Sequence, residues 1–283
     1  MFIPRLISSI VLLAVLFAII VIKGVIGLAV FTIVGVFLSI ITVRELSDIL
    51  CKFKLNKFNN FTEFSAVIIF LLTLLGSFYA PDFQWLVLIS AIIIVICWIK
   101  TLLSVNKPDE FTKVVNFASV YTILILPLNF VTLIFTADYG ITNIGVYMLL
   151  FLVLVTKAGD MGAYATGTLC SKRKGGNHPI VPTISPKKSW EGTIGGLIIS
   201  VILAAALGNF YGMNLAVCII LGIVLFIGGF AGDLAESSLK RLAGIKDSGN
   251  IIPGIGGSLD LVDSLLMNAP VFYLMLLFFG IIS

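Results

Sequence analysis

The stretch LAVCIILGIVLFIGGFAGDLAESSLKR, residues 215–241, opens with a long apolar run and ends in acidic, hydroxyl and basic side chains. A membrane-spanning helix needs about 20 mostly apolar residues, and lipid offers the backbone no hydrogen-bond partners outside a helix or a closed barrel. Comparable apolar runs lie near residues 6–22, 24–43, 65–80, 85–99, 115–136, 144–157, 193–207 and 264–282. Together with residues 215–229, they predict an all-α polytopic membrane helical bundle of about nine transmembrane helices.

The composition excludes an ordinary soluble protein. Of the 283 residues, 59% are hydrophobic and 11% are charged, and the mean hydropathy is +1.16. A soluble domain carries about 25% charged residues. The four cysteines form no Cys-x-x-Cys pair, which favours small buried side chains over zinc binding or redox chemistry. His178 is the only histidine, so a mechanism that needs two histidines is excluded.

The basic residues predict the orientation of the chain in the membrane. Nine spans place alternate loops on opposite sides, and on this count 17 of the 18 Lys and Arg residues lie on one side, with only Lys23 on the other. Loops rich in Lys and Arg stay in the cytoplasm. We therefore expect a multi-pass protein of the cell (cytoplasmic) membrane, with the amino terminus and the basic loops in the cytoplasm.

Charged residues are distributed differently in the two halves of the chain. Up to about residue 155 they are confined to loops, whereas from residue 157 onward they also fall within or beside apolar spans. An ionisable residue inside a span costs at least ~2.5–3.5 kcal/mol on insertion scales, so it is a candidate for function. We predict an N-terminal transmembrane region over residues 1–155 and a C-terminal catalytic transmembrane region over residues 156–283.

The polar end of the opening stretch places four side chains on one helix face. Asp233, Glu236, Ser237 and Lys240 follow the spacing i, i+3, i+4 and i+7. Two interpretations remain open. The face is either an internally paired polar stripe between helices, or a site that binds a metal near Asp233 and phosphate near Lys240 and Arg241.

A second acidic pair, Asp260 and Asp263, opens the last span after a glycine-rich turn. Two carboxylates three residues apart on a helix repel each other unless a cation or a proton lies between them. A hard divalent ion such as Mg²⁺ or Mn²⁺ takes oxygen ligands of this kind. The alternative is a pair of ordinary acids at a helix start, where the helix dipole favours negative charge.

Two loops supply candidate phosphate-binding groups. Gly256 and Gly257 lie in the turn before the last span, where backbone amides can approach an anion closely. SPKKSWEG, residues 185–192, carries Lys187 and Lys188 at the predicted interface, where lysines also commonly meet anionic lipid. Acids, lysines and a glycine-rich turn on one membrane face are the groups that phosphoryl or nucleotidyl transfer requires.

These motifs resemble those of a known family. SxxKR at residues 237–241, KDSG at 246–249 and PGxGGxxDxxD at 253–263 are similar to the signature of phosphatidate cytidylyltransferases, also called CDP-diacylglycerol synthases. SPKKSWEG and D-x-x-A-Y-x-x-G at residues 160–167 resemble two further blocks of that family, in the expected order. The motifs extend over residues 155–270, and the nine-span architecture covers the remainder.

The resemblance implies transfer of a cytidylyl group from CTP to phosphatidate, giving CDP-diacylglycerol and pyrophosphate in phospholipid biosynthesis. It implies metal binding by Asp233, Asp260 and Asp263, and catalytic roles for Asp260, Asp263 and Lys240. The implied substrate-binding residues are Lys187, Lys188, Ser189, Ser237, Arg241, Lys246, Asp247, Gly256 and Gly257. The implied cofactor is Mg²⁺ or Mn²⁺, and a second, monovalent cation beside it is left open. The expected partners are CTP, phosphatidate, the lipid bilayer and a second copy of the chain in a homodimer, and no nucleic acid is expected.

Two positions depart from the family pattern. Ile255 stands where the family has His, and Leu261 stands where it has Arg. These changes leave open a diverged relative acting on another lipid phosphate, a CTP-dependent lipid kinase, or an inactive paralogue. A transporter is disfavoured, because transporters carry broken helices in both halves and the polar residues here gather in one half.

Overall fold

The structure is a computed structural model that describes Ala18 and residues 24–58, 60–79, 85–139, 142–172, 176–251 and 256–282. Within these ranges the chain is almost entirely helical, with one antiparallel sheet of two strands. The predicted all-α membrane bundle is confirmed. Of the predicted first span, residues 6–22, all but Ala18 lies outside the described residues.

The helices and strands are numbered in chain order. The helices of the first half are α1 Val25–Cys51, α2 Phe61–Tyr79, α3 Trp85–Leu103, α4 Pro108–Val120 and α5 Leu126–Thr136, with the π-helical segment Tyr121–Ile125 joining α4 to α5. Those of the second half are α6 Ile144–Ser171, α7 Trp190–Phe210, α8 Leu215–Leu242 and α9 Leu259–Phe278. Strands β1 Pro179–Val181 and β2 Ser185–Ser189 form a hairpin between α6 and α7.

Eight helices within the described ranges are long and apolar enough to cross a membrane, when the continuous helix Pro108–Thr136 is counted once. Each coincides with one of the predicted spans other than the first. Several helices run further than their apolar cores, most clearly α6 and α8, because their polar ends continue the helical hydrogen bonding. The extension of α8 carries four candidate site residues, Asp233, Ser237, Lys240 and Arg241.

The chain divides into two compact units. Unit 1 comprises Met1–Val146 and Leu242–Leu261, and unit 2 comprises Tyr147–Arg241 and Val262–Ser283, each as far as it is described. The division predicted at residue 155 concerns function and stays a prediction.

Unit 1 is built around α1, which packs against α2 and α4. Phe31 of α1 stacks on Phe135 with ring centroids 3.8 Å apart. At the other end of α1, Ser47 Oγ donates to Asn116 Oδ1 at 2.9 Å, and Asn116 Nδ2 donates to the backbone oxygen of Leu55 at 2.9 Å. These contacts fix the polar end of α1.

Unit 2 relies on close helix approach through small residues. A Cβ on Gly196 of α7 would lie 2.7 Å from the backbone oxygen of Gly159 on α6, closer than a side chain allows. Membrane helices commonly pack through such small residues, because lipid provides no hydrophobic drive between helices. Asn268 of α9 adds hydrogen bonds of 2.8 Å to Thr156 Oγ1 and to the backbone oxygen of Leu225. This packing holds α6, α8 and α9 together below their polar ends.

Candidate active site

An acid cluster lies where α8 meets α9 in unit 2. Asp233 and Glu236 on α8 and Asp263 on α9 each place one carboxylate oxygen within 4.8 Å of the others. Gly232 permits the approach, because a Cβ there would lie 2.6 Å from the backbone oxygen of Asp263. The structure thus brings together two of the predicted metal-binding acids, Asp233 and Asp263. Glu236 joins them, although sequence analysis gave it only a place on the same helix face.

Two lysines contact the acid cluster directly. Lys188 Nζ lies 2.8 Å from Asp233 Oδ2, and Lys240 Nζ lies 2.6 Å from Glu236 Oε2. Both Lys240 and Glu236 are buried. Ser237 Oγ donates to Asp233 Oδ1 at 3.3 Å. Lys188, Lys240 and Ser237, all predicted site residues, therefore surround the acids. The polar face of α8 is internally paired, and the same pairs bring the predicted site residues together.

Lys157 of α6 is a third lysine at the acid cluster, and it was not among the predicted site residues. Its Nζ lies 3.9 Å from Asp263 Oδ1 and 3.7 Å from Asp160 Oδ2, and it donates to Ser264 Oγ at 2.9 Å. The sequence did indicate a functional role for Lys157, because Lys157 and Asp160 lie beside an apolar span. Charged residues at such positions are costly and are commonly functional.

The hairpin and the start of α7 position Lys188. Ser189 is the N-cap of α7, and its Oγ accepts from the backbone N–H of Gly192 at 3.2 Å, which satisfies one of the free amides of a helix start. Lys188 Nζ also lies 4.2 Å from the centre of the Phe230 ring, a distance at which the ring face attracts a cation. Ser189 thus acts on the site by capping, and its predicted contact with substrate stays a prediction.

Four other predicted substrate-binding residues have exposed side chains. They are Lys187, Arg241, Lys246 and Asp247. Lys187 and Arg241 belong to unit 2, whereas Lys246 and Asp247 belong to unit 1. Their roles in binding substrate stay predictions.

A buried carboxylate in unit 1, Glu45, holds the glycine-rich turn before α9. No pattern in the sequence indicated this contact. Glu45 of α1 accepts from Ser248 Oγ at 3.1 Å and from the backbone N–H groups of Ser258 at 3.1 Å and Leu259 at 2.8 Å. It therefore caps the start of α9, where backbone N–H groups lack helical partners and negative charge is favoured. A side chain on Gly249 would collide with Glu45.

Asp260 also organises this turn in unit 1. Its Oδ2 accepts from the backbone N–H of Ser248 at 3.1 Å, from Ser248 Oγ at 2.9 Å and from the backbone N–H of Gly257 at 2.8 Å. Gly256 has φ +122°, which favours glycine, and a Cβ there would lie 2.8 Å from Asp260 Oδ2. Both glycines thus shape the turn around Asp260. The metal-binding and catalytic roles predicted for Asp260 stay predictions.

The two departures from the family pattern fall at this turn. Ile255 lies outside the described residues. Leu261 is half-buried, and its backbone N–H donates to the backbone oxygen of Ser258 at 3.1 Å. An alkyl side chain at this position supplies no cation for a phosphate.

A model of the cytidylyltransferase family matches residues 3–279 of this chain. The chain belongs to the cytidylyltransferase family. The resemblance that the motifs carry is thereby confirmed.

Two of the relatives that this chain resembles are named for an activity. The phosphatidate cytidylyltransferase of Haemophilus influenzae is 41% identical over 134 residues, which is 45% of each chain. That of Staphylococcus aureus (strain COL) is 40% identical over 141 residues, 49% of this chain and 52% of the relative. The uncharacterized protein YnbB of Escherichia coli (strain K12) is 40% identical over 135 residues, 47% of this chain and 44% of the relative. The chain therefore matches about half the length of these relatives.

The donor atoms of the acid cluster fit a divalent cation. Mg²⁺ binds oxygen ligands at about 2.0–2.1 Å, so two ligands lie up to about 4.2 Å apart. The carboxylate oxygens of Asp233, Glu236 and Asp263 lie within 4.8 Å of one another, a spacing close to that range. The all-oxygen donor set suits Mg²⁺ or Mn²⁺.

Proposed function

We propose that this membrane protein transfers the cytidylyl group of CTP to phosphatidate, forming CDP-diacylglycerol and releasing pyrophosphate. The observation that carries the proposal is the acid cluster of Asp233, Glu236 and Asp263, with Lys188 and Lys240 paired to it. Membership of the cytidylyltransferase family and the names of two relatives support it.

In the proposed reaction, a phosphate oxygen of phosphatidate attacks the α-phosphorus of CTP. The bond from this phosphorus to the oxygen that bridges to the β-phosphate breaks, and pyrophosphate leaves with the electron pair. Such reactions depend on positioning and on neutralising the charge of the phosphates. Lys188 and Lys240, already held at the site by carboxylates, would contact the phosphates of CTP.

The balance of charge at the site argues for a divalent cation as the cofactor. Asp160, Asp233, Glu236 and Asp263 supply four carboxylates, whereas Lys157, Lys188 and Lys240 supply three ammonium groups. The resulting negative charge would repel CTP. A Mg²⁺ or Mn²⁺ ion held by Asp233, Glu236 and Asp263 would reverse the sign and neutralise the charge on pyrophosphate.

The proposed orientation places this site at the cytoplasmic face of the cell membrane. The distribution of Lys and Arg between alternate loops supports it. The homodimer and the second, monovalent cation are further proposals, and both rest on the family resemblance.

The test uses the purified full chain in mixed micelles with phosphatidate, Mg²⁺ and CTP labelled with ³²P at either the α- or the γ-phosphate. Cytidylyl transfer puts the α-label into lipid and leaves the γ-label in pyrophosphate. A lipid kinase would do the reverse. Labelled lipid from α-labelled CTP alone, lost when Mg²⁺ is chelated, is the expected result. Absence of both labels from lipid would contradict the proposal.

A further inference from the structure

A cavity of about 710 Å³ lies in unit 1 between α2, α3 and α4. On α2 its lining residues recur at three- and four-residue intervals from Phe61 to Leu72, so they share one helix face. The opposite wall is an isoleucine-rich face of α3 that includes Ile93. The volume lies within the range of about 300–1,000 Å³ typical of ligand sites. We name this cavity the lysine groove, for the residues at one of its ends.

The length of the lysine groove matches one leaflet of a bilayer. Phe61 and Leu72 both line it, and at about 1.5 Å per helical residue they lie roughly 16 Å apart along α2. The hydrocarbon core of a bilayer is about 30 Å thick, so half of it is about 15 Å. An acyl chain of one leaflet can therefore lie along the apolar walls.

Three lysines line the groove at one end. Lys57 precedes α2, Lys100 lies in the last turn of α3, and Lys113 lies near the start of α4. Lys57 pairs with Asp48 at 2.5 Å and Lys113 pairs with Glu110 at 2.7 Å. About half of each of these acid side chains is exposed, at 55% and 47%, and such exposed pairs are weak. A phosphate can therefore replace the carboxylates as the partner of the lysines.

We propose that the lysine groove binds an anionic phospholipid of the bilayer. Its phosphate would contact Lys57, Lys100 and Lys113, and an acyl chain would lie between α2 and α3. The charge selects this occupant, because an apolar helix of a second chain would leave the lysines against hydrocarbon, and a zwitterionic lipid carries its own cation beside the phosphate. The site goes beyond the proposed function, since it contains no residue of the acid cluster.

The test measures lipid retention by native mass spectrometry of the purified full chain, titrated with phosphatidylglycerol or with phosphatidylcholine. Phosphatidylglycerol is used because it is not the proposed substrate. The wild type is expected to retain it in preference to phosphatidylcholine. The triple variant K57Q/K100Q/K113Q should retain phosphatidylglycerol about fivefold less, or more weakly still. A single lysine near an anionic headgroup already contributes a factor of about five.

The matched control is K52Q/K54Q/K107Q, which removes the same charge from nearby loop positions that do not line the groove. Ile93→Trp should fill the groove and reduce retention, whereas Ile94→Trp, on the exposed neighbouring position, should not. Size-exclusion elution identifies any variant that misfolds. Equal losses in both triple variants, equal retention of the two lipids by the wild type, or a dimer whose formation excludes lipid would overturn the proposal.

Discussion

Asp263 is the acid on which the proposed chemistry depends most directly. It belongs to the acid cluster and lies 3.9 Å from Lys157. Asp263→Asn keeps the shape of the side chain but removes a charged ligand of the proposed metal ion. Loss of a residue that only supports a metal ligand costs about 10–100-fold. We therefore expect the rate of cytidylyl transfer to fall by more than about 100-fold. The ³²P assay measures it, and Asp109→Asn in unit 1 is the control. Full turnover by Asp263→Asn would refute the metal assignment.

Glu45 shows how one buried side chain can govern a distant turn. Glu45→Ala would remove the acceptor of three hydrogen bonds, from Ser248 Oγ and from the backbone N–H groups of Ser258 and Leu259. Buried donors left without a partner cost about 1–3 kcal/mol each. We therefore expect a loss of at least about 2 kcal/mol in the free energy of unfolding, seen as a lower Tm in detergent.

Two substitutions calibrate the Glu45 experiment. Asp48→Ala, on the same helix but at a surface ion pair with Lys57, should change the stability by less than about 1 kcal/mol. Glu45→Gln retains one acceptor oxygen, so its Tm should lie between those of the wild type and Glu45→Ala. An unchanged Tm for Glu45→Ala would show that the turn is held by other contacts.

The close contact between α8 and α9 depends on the small residue Gly232, and a larger side chain there tests that dependence. Gly232→Val would place side-chain atoms against the backbone oxygen of Asp263, where even a Cβ would lie 2.6 Å away. Overpacking of this kind costs about 1–3 kcal/mol, and the helices must separate, which disperses the acid cluster. We expect both Tm and cytidylyl transfer to fall. Ala235→Val, at an exposed position of the same helix, should leave both unchanged.

The positions of the helices could be predicted from the sequence better than the residues at which they end. Apolar runs located eight spans that the structure describes, since hydropathy alone determines which segments lipid accepts. The apolar run of α6 lies at residues 144–157, whereas the helix continues to Ser171. For α8, the shared face of Asp233 and Lys240 already predicts a helix beyond the apolar run, and that helix ends at Leu242. The charges at the polar end of α8 are paired, since Asp233 contacts Lys188 of the hairpin and Glu236 contacts Lys240 one turn along the same helix.

The site could be predicted in part. Spacing on one helix revealed the shared face of Asp233 and Glu236, because that geometry is local. The contact of Glu45 with Ser248 joins residues 203 apart in sequence, and no periodicity reports such a pair. The spacing of Asp260 and Asp263 indicated proximity, but the hydrogen bonds of Asp260 to Ser248 and Gly257 depend on the path of the turn, which spacing does not give.

The distribution of charge predicts the orientation of the whole chain in the membrane. With 17 of 18 basic residues on one side of a nine-span topology, Lys246 should face the cytoplasm and Thr142 the opposite side. In a variant lacking the four native cysteines, Lys246→Cys should react with a membrane-impermeant maleimide only in inside-out vesicles, and Thr142→Cys only in right-side-out cells. Both positions are exposed, so reactivity reports sidedness. Labelling of both from the same side would contradict the topology, because the helices between them would then not cross the membrane an odd number of times.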